Sequence, residues 1–267
     1  MKFLGSKSEG RIKIFGVPFD STVSFSPGTR FGPEGIRKFS QSIETFSFVL
    51  GKDLESVEFE DCGDLEVSRV PEKMIEEVER FVEKIDLPVV LGGEHTVSYP
   101  VVKSLLKRYK KLTVVQFDAH ADLRNEYEGT KFSHACVMRR ILEEGCSLIQ
   151  VGVRSESAEE RKFFEENSSK ILRVDLKELP KVLENCQNPV YFSIDIDFFN
   201  PSEAPGTGNP EPPGVFSKDF FDTIYKINGI NLVGFDLVEV SPPLDFSGIT
   251  QILSAKIVRE LILKFWG

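Results

Sequence analysis

No apolar run in this chain approaches the roughly 20 residues that a membrane-spanning helix needs. The opening stretch, MKFLGSKSEGRIKIFGV, is charged throughout and does not read as a signal peptide. There is no basic excess either: 33 Lys and Arg against 42 Asp and Glu leave a net charge of -9. That balance argues against nucleic acid or an anionic membrane surface as the main partner, and it suits a cationic small molecule. Cys62, Cys136, Cys146 and Cys186 show no C-x-x-C spacing, so they read as reduced thiols of a cytoplasmic protein. Repeats, low-complexity tracts and Pro/Ser linkers are missing, and residues 1–267 are expected to form a single domain. The Pro/Gly-rich NPSEAPGTGNPEPPG, residues 200–214, reads as a loop. Histidine is scarce: the chain has only His95, His120 and His134.

What is present alternates. Short apolar runs (RIKIFGV, SVEFED, LPVVLGG, LTVVQFD, SLIQVGV, KILRVD, PVYFSIDID and NLVGFDLVEV) read as strands. Most lack a polar face, as in parallel strands buried on both sides. Helix-like stretches lie between them: Pro33–Ser40, Pro71–Lys84, Val97–Lys110, His134–Glu144, Ala158–Glu166, Lys218–Ile227 and Thr250–Phe265. This order predicts an α/β protein, and the pattern alone leaves a doubly wound sheet and a (β/α)8 barrel both open. In either, sites lie at the carboxyl ends of the strands. His95, Asp118, Asp195 and Glu239 all fall there.

LGGEH supplies His95; FDAHAD supplies Asp118, His120 and Asp122; SIDID supplies Asp195 and Asp197. Residues two apart in extended chain point the same way, so each D-x-H or D-x-D unit presents its ligands together if extension persists past Asp118. Six ligands, four of them carboxylates, exceed what one tetrahedral zinc uses and match two divalent cations. The oxygen-rich set favours Mn(II), with Mg, Fe, Co or Zn as alternatives. Two such ions lower the pKa of a shared water and yield a bridging hydroxide at neutral pH. Glu239, in DLVEVSPP, is placed to accept paired N–H bonds from a guanidinium group. His134, in KFSHAC, is the one imidazole left for proton transfer. Asp236, three residues before Glu239, is expected on the other side of its strand as a structural carboxylate.

Taken together, LGGEHTVSYP, FDAHADLR, SIDIDFFNPSEAPGTG and GFDLVEVSPP resemble the ureohydrolases, the family of arginase, agmatinase and relatives. VPFDSTVSFSPGTRFGPEGIRKF is similar to that family's opening loop and first helix, so the likeness covers nearly the whole chain. The resemblance implies a three-layer α/β/α fold with an eight-stranded parallel sheet. It implies one manganese on His95, Asp118, Asp122 and Asp195, and a second on Asp118, His120, Asp195 and Asp197. It also implies a homo-trimer or homo-hexamer.

Within the family, RNEYEGTKFSHACVMRRI is most similar to agmatinases. Arg124 and Ser157 stand where arginases carry groups that hold an α-amino acid, and Asn209 stands where relatives often have threonine. Hydrolysis of agmatine to putrescine and urea, a step of polyamine biosynthesis, is therefore the leading expectation. The alternatives keep the chemistry and change the tail: N1-aminopropylagmatine, guanidinobutyrate or arginine. More distant are a zinc deacetylase, which needs further active-site histidines, and a silent metal-binding homologue. Glu126 and Glu128 read either as partners for a terminal amine or as a solvated acidic loop.

Overall fold

The apolar runs become strands. In the computed structural model, which describes residues 1–267, these are Ile12–Val17 (β1), Phe59–Asp64 (β4), Leu87–Gly92 (β5), Thr113–Phe117 (β6), Ser147–Val151 (β7), Ile171–Val174 (β8), Val190–Asp195 (β9) and Leu232–Val238 (β10). A two-residue antiparallel pair, Phe46–Ser47 (β2) with Lys52–Asp53 (β3), has no counterpart in the sequence pattern. The other eight pair in parallel in the order β4-β1-β5-β10-β9-β6-β7-β8. The sheet is open, ending in β4 and β8, and that settles the choice against a barrel.

Eight helices cover it: Gly32–Ser40 (α1), Pro71–Val82 (α2), Ser98–Tyr109 (α3), Val137–Glu143 (α4), Ala158–Glu166 (α5), Leu179–Glu184 (α6), Ser217–Ile224 (α7) and Ile249–Phe265 (α8). The six-residue α6 escapes sequence reading because it is too short to establish a 3.6-residue period. Alternate residues of each strand feed opposite cores. Val115, Phe117, Phe192 and Ile194 pack with α7 and α8, whereas Val114, Tyr191 and Val233 pack with α2, α3 and α4. The result is a three-layer α/β/α arrangement, and none of its helices is long and apolar enough to cross a membrane.

This topology brings the polar motifs together. The chain lays β6, β7 and β8 outward to one edge, then returns to insert β9 and β10 between β5 and β6. The four strands that carry the motifs are thus four consecutive neighbours at the middle of the sheet. Their ends are pinned from below. The ring of Phe117, the residue before Asp118, meets Phe192, Phe198 and Phe220 edge-on with centroids 5.4–5.6 Å apart. Such edge-to-face pairs add to the burial of the rings themselves. Gly93 holds the other side. A Cβ there would lie 1.9 Å from the Phe19 carbonyl oxygen, so only glycine lets the loop after β1 cross the end of β5.

Candidate metal centre and active site

Two of the motifs share one local device, and it is not continued strand. β6 ends at Phe117, one residue before Asp118, so the extended conformation does not persist through Asp122. Instead the first carboxylate of each unit accepts the amide N–H two residues on: Asp118 Oδ1 from His120 at 2.6 Å, and Asp195 Oδ1 from Asp197 at 2.8 Å. These side chains compete locally with strand hydrogen bonding and fold each motif into a tight turn. A cross-link joins the turns, Ala119 N–H donating to Asp197 Oδ1 at 3.0 Å. Asp122 reaches the same space through a left-handed backbone, φ 53°. Glu239 has φ 61°, with its amide N–H bonded to the Gly93 carbonyl at 2.8 Å. Non-glycine residues adopt this region rarely and at a cost of about 1–3 kcal/mol, which concentrates at functional sites.

All six expected ligands converge. His95 Nδ1 lies 3.0 Å from Asp122, 3.1 Å from Asp118 and 3.4 Å from Asp195. His120 Nδ1 lies 2.8 Å from Asp197 and 3.7 Å from Asp118. Ligand atoms of His95, Asp118 and Asp195, and of Asp118, His120 and Asp197, lie within 4.8 Å of one another. Asp118 belongs to both triplets. Asp195 is grouped with the first, its Oδ1 being engaged by Asp197.

The electrostatics show what this cage lacks. The four carboxylates are buried, and their only ion-pair partners are His95 and His120. Burial, then repulsion from Asp122 and Asp197, pushes Asp118 up to about 7. Burial and the same crowding hold Asp195 well above the carboxylate range. Burial alone would lower His120, but Asp197 overrides it and carries the ring to about 11. His95 Nδ1 makes no hydrogen bond although three carboxylates surround it. An unpartnered buried nitrogen facing uncompensated oxygens fits divalent cations, which satisfy both at once.

Glu239 and His134 border the same cavity, about 220 Å³, together with Arg124, Tyr127, Glu156, Ser157, Glu160 and Asn209. Glu239 Oε1 accepts the His95 amide N–H at 2.8 Å, which leaves Oε2 and a second lone pair on Oε1. His134 is no part of the cage. Its ring rests edge-on against Tyr127, Nε2 is 3.4 Å from Ser24 Oγ, and burial lowers its pKa.

The outer wall decides between the two readings of Glu126 and Glu128 and gives Ser157 a local role. Glu126 and Glu128 are exposed and stand outside the cavity, so they form a solvated loop. Ser157 caps α5: its hydroxyl donates to Glu160 Oε2 at 2.7 Å and accepts the Glu160 amide at 3.3 Å. The S-x-x-E spacing is a capping-box signal legible in sequence. Arg124 stacks on Tyr127 and faces Glu160 at 3.7 Å. Glu156 is paired with Arg161 and Arg173.

Several supporting residues have no role assigned from sequence. Glu94, buried and raised to about 7 by that burial, holds Thr22 through its amide at 2.7 Å and its hydroxyl. Thr22 Oγ1 in turn accepts the His134 amide N–H at 3.3 Å. Arg154 donates to the carbonyls of Asp197 and Glu211, each at 2.7 Å, tying the second ligand turn to the 209–211 loop.

With this geometry fixed, comparison with known proteins is informative. The family model for the arginase family matches residues 10–264. The chain belongs to the arginase family. It is 39% identical to an agmatinase of Bacillus anthracis over 97% of this chain and 93% of that one. It is 34% identical to a guanidinobutyrase of Pseudomonas aeruginosa over 92% of this chain and 84% of that one. The agmatine ureohydrolase of Thermoplasma volcanium superposes with a TM-score of 0.89 at 32% identity, covering 98% and 93% of the two chains. The protein is a ureohydrolase-type enzyme of a metal-dependent family.

In the metal-free chain the raised groups make stability depend on pH, and they outnumber the lowered His134 and Asp197. Asp118 and Glu94 titrate near 7 when folded, against about 4 unfolded. His120 titrates near 11, against about 6.5. All three therefore bind more protons folded than unfolded, and their stabilisation is lost as pH rises through the folded values. Chelated protein should melt at progressively lower temperature between pH 5 and pH 8 by scanning calorimetry, and divalent metal should abolish most of that slope. A metal-free melting point that rises over this range would contradict the raised pKa values of Asp118, Glu94 and His120.

Proposed function

We propose that this chain holds two Mn(II) ions and hydrolyses agmatine to putrescine and urea. The observation that carries the reading is convergence: one small cavity unites residues of the six-residue cage, the Glu239 carboxylate and an imidazole, His134, that stands outside the cage. His95, Asp118, Asp122 and Asp195 would hold one ion; Asp118, His120, Asp195 and Asp197 would hold the other. Two divalent cations bound there supply Lewis acidity and acidify water at neutral pH.

The remaining work falls to the chain. Glu239 presents an oxygen pair suited to the parallel N–H bonds of a guanidinium, and its backbone, locked by Gly93, fixes that pair in the cavity. The loop at Val23–Ser26 borders the cavity. His134, kept neutral by burial, can take up a proton on Nε2 and deliver it to the departing amine nitrogen. The four thiols are free, which suits a reducing cytoplasm.

Substrate choice rests on the outer wall. Glu156 and Glu160 are both engaged, and Ser157 is used as a helix cap. Arginine carries an α-carboxylate that only Arg124 could receive, and Arg124 is already stacked on Tyr127 and facing Glu160; agmatine lacks that group and avoids the cost of leaving it poorly paired. One observation favours a second reading: Arg124 is a cation on the wall and would suit a carboxylate tail, as in guanidinobutyrate.

His134→Asn should retain both metals and lower kcat by on the order of 10²–10⁴. Metal loss in that variant, seen by elemental analysis, would make His134 a ligand and overturn its assignment. For the wild type, urea release should give kcat/KM at least roughly tenfold higher for agmatine than for arginine, about 1.4 kcal/mol of transition-state binding. Preference for arginine would overturn the substrate assignment. Preference for guanidinobutyrate, abolished by Arg124→Gln, would establish the second reading instead.

A further inference from the structure

Behind the cage lies a second set of buried polar groups, in the interior of two strands that otherwise bury apolar side chains. His95 Nε2 is 2.8 Å from Ser193 Oγ. Ser193 Oγ is 2.8 Å from Asp236 Oδ1, and the Tyr191 hydroxyl donates to Asp236 Oδ2 at 2.8 Å. Ser98 Oγ stands 3.2 Å from Ser193 Oγ. Tyr191, Ser193 and Asp236 are each 0% exposed and His95 is 1% exposed, so these groups lie in the protein interior and bond to one another. The groups meet because β9 and β10 place Ser193 opposite Asp236 in register. Tyr191 lies two residues before Ser193, on the same face.

The chain of hydrogen bonds has a direction. Carboxylate oxygens only accept, so the hydroxyls of Tyr191 and Ser193 both donate to Asp236. Ser193 has then spent its one proton, and its oxygen must accept from the imidazole. His95 consequently holds a proton on Nε2, and Nδ1 is the nitrogen left to meet a cation. Nδ1 is the atom that faces Asp118, Asp122 and Asp195 yet makes no hydrogen bond to any of them.

We infer that Asp236, Ser193 and Tyr191 form a buried relay that fixes the tautomer and orientation of His95 for metal binding through Nδ1. The inference rests on the metal reading proposed above. In metal sites a histidine ligand whose far N–H is held by an acceptor is both oriented and made more basic, and losing that partner lowers metal affinity by roughly 10–100-fold. In this chain a serine stands between imidazole and carboxylate, and the carboxylate is itself anchored by a tyrosine. The other ring is held differently. His120 Nε2 lies 3.1 Å from the Asn209 side-chain amide, on a residue exposed to solvent. The relay therefore acts on one metal position only, and these are positioning residues that touch neither substrate nor ion.

The test uses the full chain, freed of metal and titrated with Mn(II) by calorimetry, for wild type, Ser193→Ala, Asp236→Asn and Tyr191→Phe. Far-UV circular dichroism checks each fold. Ser193→Ala and Asp236→Asn should weaken one of the two Mn(II) binding steps by roughly 10–100-fold and leave the other within about threefold. Tyr191→Phe should act in the same direction and less. Because the chain has only three histidines, nitrogen-15 imidazole spectra of the Zn(II)-loaded protein read each ring directly. The His95 Nε2–H signal should be downfield and slow to exchange in the wild type, and should lose both properties in Ser193→Ala. A merely structural role would not move it. Should Asp236→Asn fail to fold, Ser193→Ala and Tyr191→Phe decide the matter by the same readouts. Wild-type affinity in both, with an unshifted Nε2–H signal, would overturn the relay. A wild-type protein that binds no Mn(II) would overturn the metal reading itself.

Discussion

Four carboxylates share one buried rim, and the rest of the molecule is arranged around the cost of keeping them there. Burial and mutual repulsion hold Asp118 and Asp195 far above their ordinary range, and no lysine or arginine side chain comes to their relief. The two imidazoles offset part of this, but both direct Nδ1 at the carboxylates and are more useful as ligands than as cations. The divalent ions proposed for this site would resolve the conflict. The sheet topology serves this arrangement: inserting β9 and β10 between β5 and β6 brings residues from four distant segments to one rim.

Much of this is legible in sequence because the fold and the site use strong, local signals. Continuous apolar runs mark the eight strands within a few residues, with the largest slip at SVEFED, whose strand begins at Phe59. The six ligands stand out because D-x-H-x-D and D-x-D are dense in chemistry. Their geometry does not. The expected extended presentation gives way to side-chain turns at Asp118 and Asp195 and a left-handed Asp122, all set by hydrogen bonds that strand periodicity does not encode. The order of strands in the sheet is likewise invisible, since parallel runs of similar composition carry no label for their neighbours.

The residues that sequence reasoning misses are single polar side chains in apolar surroundings. Asp236 reads as structural on the grounds that it faces away from Glu239. It does point elsewhere, yet its carboxylate lies one serine away from His95. A lone Ser or Asp within YFSID or GFDLV has no spacing to argue from, and its meaning depends on register between β9 and β10. Ser157 is the opposite case. The family resemblance sets it where arginases hold an α-amino group, it does line the cavity, and the local S-x-x-E spacing adds that its hydroxyl caps a helix.

The central claim is that one carboxylate cage holds two ions and that Asp118 belongs to both. Its most direct measurement is Mn(II) content per chain, by elemental analysis after equilibration and gel filtration, in the wild type, Asp118→Asn and Asp122→Asn. About two ions are expected in the wild type, with loss of both from Asp118→Asn and retention of one by Asp122→Asn. A single tightly bound ion in the wild type, or an Asp118→Asn protein that still holds one ion as firmly as before, would contradict it.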